Sequence, residues 1–151
     1  MAKPNDELRR ILIFGLSANP PTLGHRQIVD FLSAQTKEGN SEDYLFHEIW
    51  VIPVYKHMYR NKKFLEAFHH RVNMCNLCFQ SIPRVTILTV EEDLNRSLDA
   101  TTNSRIGTID VLRHLHQANR GVEFYFVVGQ DTYNDLCCGR WKESERFIFE
   151  K

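Results

Sequence analysis

The run Arg10-Ile11-Leu12-Ile13-Phe14-Gly15 constrains the fold more than any other stretch of the chain. A short continuous apolar segment ending at glycine reads as a strand buried on both faces, the pattern of a parallel sheet covered on each side by helices. Leu16 to Pro21 holds Ser17, Asn19 and two prolines, so it reads as a loop. From Thr22 the apolar positions Leu23, Ile28, Val29, Phe31 and Leu32 suit a helix.

The alternation continues. After the break at Gly39-Asn40-Ser41, Glu48 to Val54 reads as a second strand, stopped near Pro53. Phe64 to Ser81 carries Leu65, Phe68, Val72, Met74 or Cys75, and Phe79 on a helical face that breaks before Pro83. Val85 to Val90 is a third strand by its branched residues, and Asp93 to Ser104 reads as a polar loop. Ile106, Ile109, Leu112 and Leu115 mark a helix that ends before Gly121. Val122 to Val128 is a fourth strand ending at Gly129, and Asp131 to Lys151 is read as mostly helical. The order βαβαβαβα predicts an α/β fold: a Rossmann-like, doubly wound parallel sheet with helices on both faces. Ligands then bind at the carboxyl ends of the strands, where strand order reverses. At 151 residues the chain has room for one domain, 1–151.

Lysine plus arginine equals aspartate plus glutamate, 19 against 19, so no global field favours nucleic acid or an anionic membrane. Apolar stretches such as Ile49 to Val54 are too short to cross a bilayer, and the polar start Lys3-Pro4-Asn5-Asp6-Glu7 lacks a signal peptide's apolar core. A cytoplasmic protein is expected. The four cysteines form Cys75-x-x-Cys78 and an adjacent Cys137-Cys138 pair, read as reduced thiols. Cys75 and Cys78 look like parts of a helix face rather than a zinc knuckle, and no protein-held metal is expected.

Chemistry concentrates in Gly15 to His25. A helix's first N–H groups have no internal partner and its dipole is positive there, so a phosphate fits at Thr22 to His25. Gly24 leaves room for a ligand, and His25 on the first turn can donate to a phosphate oxygen. A capped helix with His25 packed or solvated fits the same residues. Gly129 and Asp131 follow the fourth strand, and taken alone Asp131 fits a helix N-cap. Lys56, His57, Arg60, Lys62 and Lys63 form the one local concentration of positive charge, fit either for phosphate or for solvent. Trp141 is either a stacking platform or core.

Thr22-Leu23-Gly24-His25 resembles the (His/Thr)-x-Gly-His signature of the nucleotidyltransferase superfamily. The stretch from Phe14-Gly15 to Asn19-Pro20-Pro21 is similar to the one before it in nicotinate and nicotinamide mononucleotide adenylyltransferases. Further along, Ile52 to His57 resembles the family's basic loop after a strand, and Phe68 to Met74 its His-Arg-x-x-Met helix start. Thr108-Ile109-Asp110-Val111-Leu112 matches a Thr-Ile-Asp-x-Leu segment, and Val128 to Asp131 with Arg140-Trp141 a Gly-x-Asp segment followed by Arg-Trp. These matches run in order across nearly the whole chain.

The resemblance implies an adenylyltransferase that joins ATP to nicotinate or nicotinamide mononucleotide, releasing pyrophosphate, in NAD biosynthesis. It implies that Thr22 and His25 contact the triphosphate, Lys56 a phosphate near the acceptor, and Gly129 and Asp131 a ribose. Gly15, Leu16, Ser17, Asn19, Gly24, Thr108 and Trp141 complete the nucleotide-binding set, with Thr108 beside the acceptor pocket. Magnesium arrives with ATP and keeps several waters. The expected partners are ATP and a mononucleotide, with no nucleic acid and no membrane, and a homo-oligomer is compatible with the sequence. The family's C-terminal strand and Ser/Thr-rich segment have no match after Trp141, so a fragment or impaired triphosphate binding is expected. Two other readings follow: a nucleotide-binding sensor without turnover, and a transferase acting on phosphopantetheine or using CTP.

Overall fold

The computed structural model of the chain describes residues 7–57, 64–98 and 105–145. Strand β1 (Arg9–Leu16) lies inside a four-stranded sheet ordered β5-β4-β1-β6, with β4 (Glu48–Pro53), β5 (Val85–Ile87) and β6 (Val122–Val127). Every pairing in it is parallel. Successive side chains of a strand point to opposite faces, and here both faces are covered. Leu12, Phe14 and Leu16 of β1 join Ile49 and Val51 of β4 beneath helices α1 (Leu23–Ser33) and α2 (Phe68–Phe79), where Val29, Cys75 and Phe79 are buried. Ile11, Ile13, Trp50 and Ile52 fill the other face against α3 (Val90–Ser97) and α4 (Thr108–Ala118), with Val90, Val111 and Leu115. The chain steps outward from β1 to β4 to β5, then returns to place β6 on the opposite side of β1. Strand order therefore reverses between β1 and β6, as the doubly wound reading requires.

Three expectations need correction. The break at Gly39 holds an antiparallel hairpin of β2 (Thr36–Lys37) and β3 (Asn40–Tyr44), turned at Gly39 with φ +80°. Its strands are held by charge, Lys37 pairing with Asp43 at 2.9 Å, and carry no apolar alternation to reveal them. The third strand stops at Ile87, and Val90 begins α3 inside the stretch read as strand and then loop. Glu91, Glu92 and Asp93 suit the positive end of that helix dipole. The last segment is helical only over α5 (Gln130–Cys137) within the described residues. Gly139, at φ +72°, donates to the Leu136 carbonyl at 3.1 Å and Arg140 to that of Asp135 at 2.9 Å, the Schellman ending that a left-handed glycine permits.

The helix faces also differ from their periodicity. In α1 only Val29 of the expected apolar set is fully buried, while Leu23 and Phe31 are 75% and 65% exposed. In α2 the buried set includes Arg71. Burial pushes the Cys75 thiol up to about 11, so it stays protonated and inert.

Candidate active site

A cavity of about 540 Å³ opens at the carboxyl ends of β1, β4 and β6, within the size range of nucleotide and cofactor sites. The segment after β1 supplies Gly15, Leu16, Ser17, Ala18, Asn19 and Pro20, and α1 supplies His25. From the β6 side come Phe126, Gly129, Asp131 and Thr132; from the β4 side, Val54, His57 and Glu91; Thr108 of α4 and Trp141 close the wall. Of the residues expected at a nucleotide site, Gly15, Leu16, Ser17, Asn19, His25, Thr108, Gly129, Asp131 and Trp141 line this one cavity. Thr22, Gly24 and Lys56 do not.

Thr22 acts on the site through His25. It is the N-cap of α1, and its backbone N–H donates to His25 Nδ1 at 2.9 Å while its hydroxyl oxygen accepts the His25 N–H at 3.4 Å. With Nδ1 accepting, the neutral ring carries its proton on Nε2. The edge of Phe14, its ring centroid 6.1 Å away, packs against the same imidazole. Lys56 is exposed and lies 5.4 Å over the Tyr55 ring. Arg60, Lys62 and Lys63 lie outside the described residues.

The loop between β1 and α1 is held from behind by Arg71, one of the most buried side chains in the protein at 1% exposure. Its guanidinium donates to the carbonyls of Ser17 (2.8 Å), Val54 (2.6 Å), Tyr55 (3.2 Å) and Glu66 (2.8 Å). Five N–H groups in a rigid fork let a single arginine fasten the exits of both β1 and β4 to the start of α2. Asn19 does the complementary job, its amide donating to the Phe64 carbonyl and accepting the Glu66 N–H, each at 3.0 Å. Both ends of that side chain are thus engaged in shaping the wall. Between them Ala18 is buried at φ +53°, a left-handed conformation that costs a non-glycine residue about 1 kcal/mol.

At the far end, Gly129 is the N-cap of α5 and Asp131 lies in its first turn. A Cβ on Gly129 would stand 2.9 Å from Asp131 Oδ1, the tip of an exposed side chain. Trp141 meets the Phe126 ring edge-on at 6.1 Å. Asp110, in the Thr-Ile-Asp segment, is structural: it accepts the Gly107 N–H at 2.8 Å and pairs with Lys142 at 2.9 Å, fixing the start of α4.

Glu91 escaped the sequence reading because nothing separates it from its acidic neighbours Glu92 and Asp93. Its Oε2 accepts the Tyr55 N–H at 2.7 Å, and burial pushes its carboxyl up to about 7, partly offset by that hydrogen bond and by the charge of Arg71. Arg71 had been visible only as part of a matched segment, without a role.

A family model described as Cytidylyltransferase-like matches residues 13–148. The chain belongs to this cytidylyltransferase-like family. Among curated relatives, the probable nicotinate-nucleotide adenylyltransferase of Acholeplasma laidlawii (strain PG-8A) is 28% identical over 138 residues, 91% of this chain and 62% of the relative. That of Desulfotalea psychrophila is 23% identical over 143 residues, 95% of this chain and 61% of the relative. This member of the family therefore spans about three fifths of the length of those relatives. Among solved structures, Plasmodium falciparum nicotinic acid mononucleotide adenylyltransferase complexed with NaAD superposes with a TM-score of 0.63 at 28% identity, covering 95% of this chain and 62% of that one. Among the described residues, no helix is long and apolar enough to cross a membrane.

Proposed function

We propose that the chain transfers the adenylyl group of ATP to the phosphate of nicotinate or nicotinamide mononucleotide. An acceptor phosphate oxygen bonds to the α-phosphorus, the bond from that phosphorus to the bridging oxygen breaks, and pyrophosphate leaves. The observation that carries the reading is the single cavity joining His25 at the start of α1 to Gly129 and Asp131 at the start of α5, across the point where strand order reverses. The names of the relatives and the dinucleotide bound by the Plasmodium protein support the same chemistry.

Such a transfer needs no protein nucleophile; it needs two phosphates held in line and charge stabilised on the oxygens of the α-phosphate. His25 would offer its Nε2–H to those oxygens, held at the right tilt by Thr22, while the positive end of the α1 dipole attracts the triphosphate. Asp131 would accept the hydroxyls of the adenosine ribose. Lys56 stands outside the cavity wall, so no contact is assigned to it. Among the described residues no group of three or more His, Cys, Asp or Glu side chains could hold a metal ion, so magnesium accompanying ATP would take phosphate oxygens and water as ligands.

The test is pyrophosphate release with ATP and each mononucleotide, with the dinucleotide identified chromatographically. Release that depends on both substrates is expected, and His25→Ala should lower kcat by about 10²-fold, the usual loss for one preorganised donor. Binding of ATP without release under any acceptor would refute the reading.

A further inference from the structure

The cavity has two ends on either side of β1. If the reading above holds and Asp131 on the β6 side takes the adenosine ribose, the acceptor's pyridine ring is left to the β4 side, where Val54, His57 and Glu91 form the wall. We propose that Glu91 selects the acceptor by its ring substituent, favouring a carboxamide, which donates hydrogen bonds, over a carboxylate, which repels it.

The geometry supports this in three ways. Glu91 sits in the first turn of α3 and lines the cavity, with one oxygen fixed by the Tyr55 N–H at 2.7 Å, so the carboxyl is oriented rather than free to swing into solvent. Among the described residues its carboxyl has no ion-pair partner, because Arg71 directs its N–H groups to the carbonyls of Ser17, Val54, Tyr55 and Glu66. An ionised carboxylate in such a wall accepts hydrogen bonds only, and a second carboxylate brought beside it is disfavoured.

Among the described residues, the ionisable groups sharing the cavity with Glu91 are His25 from α1, His57 from the segment after β4 and Asp131 from α5; Arg71 of α2 lies behind, and α4 presents Thr108 and apolar side chains. Burial holds the Glu91 carboxyl near pH 7, so the selection should weaken in acid, where the protonated group can donate to a nicotinate carboxylate. Titration of the acceptor phosphate, near pH 6, affects both nucleotides alike and cancels in their ratio.

The experiment measures kcat/KM for nicotinamide and nicotinate mononucleotide from about pH 6 to pH 8.5, at saturating ATP, for the wild type and Glu91→Gln. Glutamine keeps an oxygen to accept the Tyr55 N–H. A preference for the amide of about 10-fold at the alkaline end is expected, a scale typical of one charged contact, and it should shrink toward acid. Glu91→Gln should abolish the pH dependence of the ratio and raise kcat/KM for nicotinate mononucleotide. A ratio independent of pH, or one that Glu91→Gln leaves unchanged, overturns the proposal. Absence of turnover with both nucleotides refutes adenylyl transfer alone. Equilibrium titration of the two mononucleotides then decides: tighter amide binding that Glu91→Gln removes supports the selector role, and equal or absent binding overturns it.

Discussion

At the scale of single residues, the site is built from side chains whose freedom has been taken away. His25 is tied to its cap and Asn19 has both amide atoms committed. His25, Gly129 and Asp131 were legible as cavity residues because they lie in short patterns next to strand ends. Glu91 was not, since its significance comes from burial against Tyr55, which local sequence does not encode. That burial carries a measurable cost. With a folded pKa near 7 against an ordinary 4.5, the folded protein holds the proton more tightly than the unfolded chain. The sign follows: stability is fully present below about pH 4.5 and declines as pH rises through 7, by up to about 3 kcal/mol for a shift of this size. Glu91→Gln should therefore gain stability over the wild type progressively across that interval. Urea unfolding at pH 4.5 and pH 8 measures it, and an equal stability difference at the two pH values would show that Glu91 titrates normally.

At the scale of elements, β1, β4, β6, α1, α2 and α4 were readable because parallel strands buried on both faces are continuously apolar and their helices end at recognisable residues. The β2–β3 hairpin and α3 were hidden, the first held by ion pairs and the second beginning within an apparent strand. In both, charged residues rather than an apolar periodicity mark the element. Arg71 is the clearest case of a residue acting between elements, joining the exits of β1 and β4 to the segment before α2. Arg71→Met keeps the apolar stem but leaves four carbonyls without that donor, a change expected to cost about 3 kcal/mol or more. The midpoint of urea unfolding should fall accordingly, and ATP affinity with it, because Ser17 and Val54 belong to the cavity wall. A variant as stable as the wild type would mean that water replaces the guanidinium at little cost.

For the whole molecule, topology is what brings the proposed anion site together in a neutral chain. The strand order β5-β4-β1-β6 separates α1 and α5 onto opposite sides of the reversal, so the starts of the two helices meet at one cavity across β1, the proposed phosphate and ribose ends. The sequence carried this alternation and both end motifs, while the β4 side of the cavity depended on Glu91 of α3, a helix it did not reveal. The claim that these ends form one nucleotide site is tested most directly by calorimetric titration of ATP and adenosine into the wild type, His25→Ala and Asp131→Ala. Both substitutions should weaken ATP by about 10-fold or more, the scale of a lost charge-assisted hydrogen bond, while adenosine should weaken with Asp131→Ala alone. Unchanged ATP affinity in either variant would contradict a shared site.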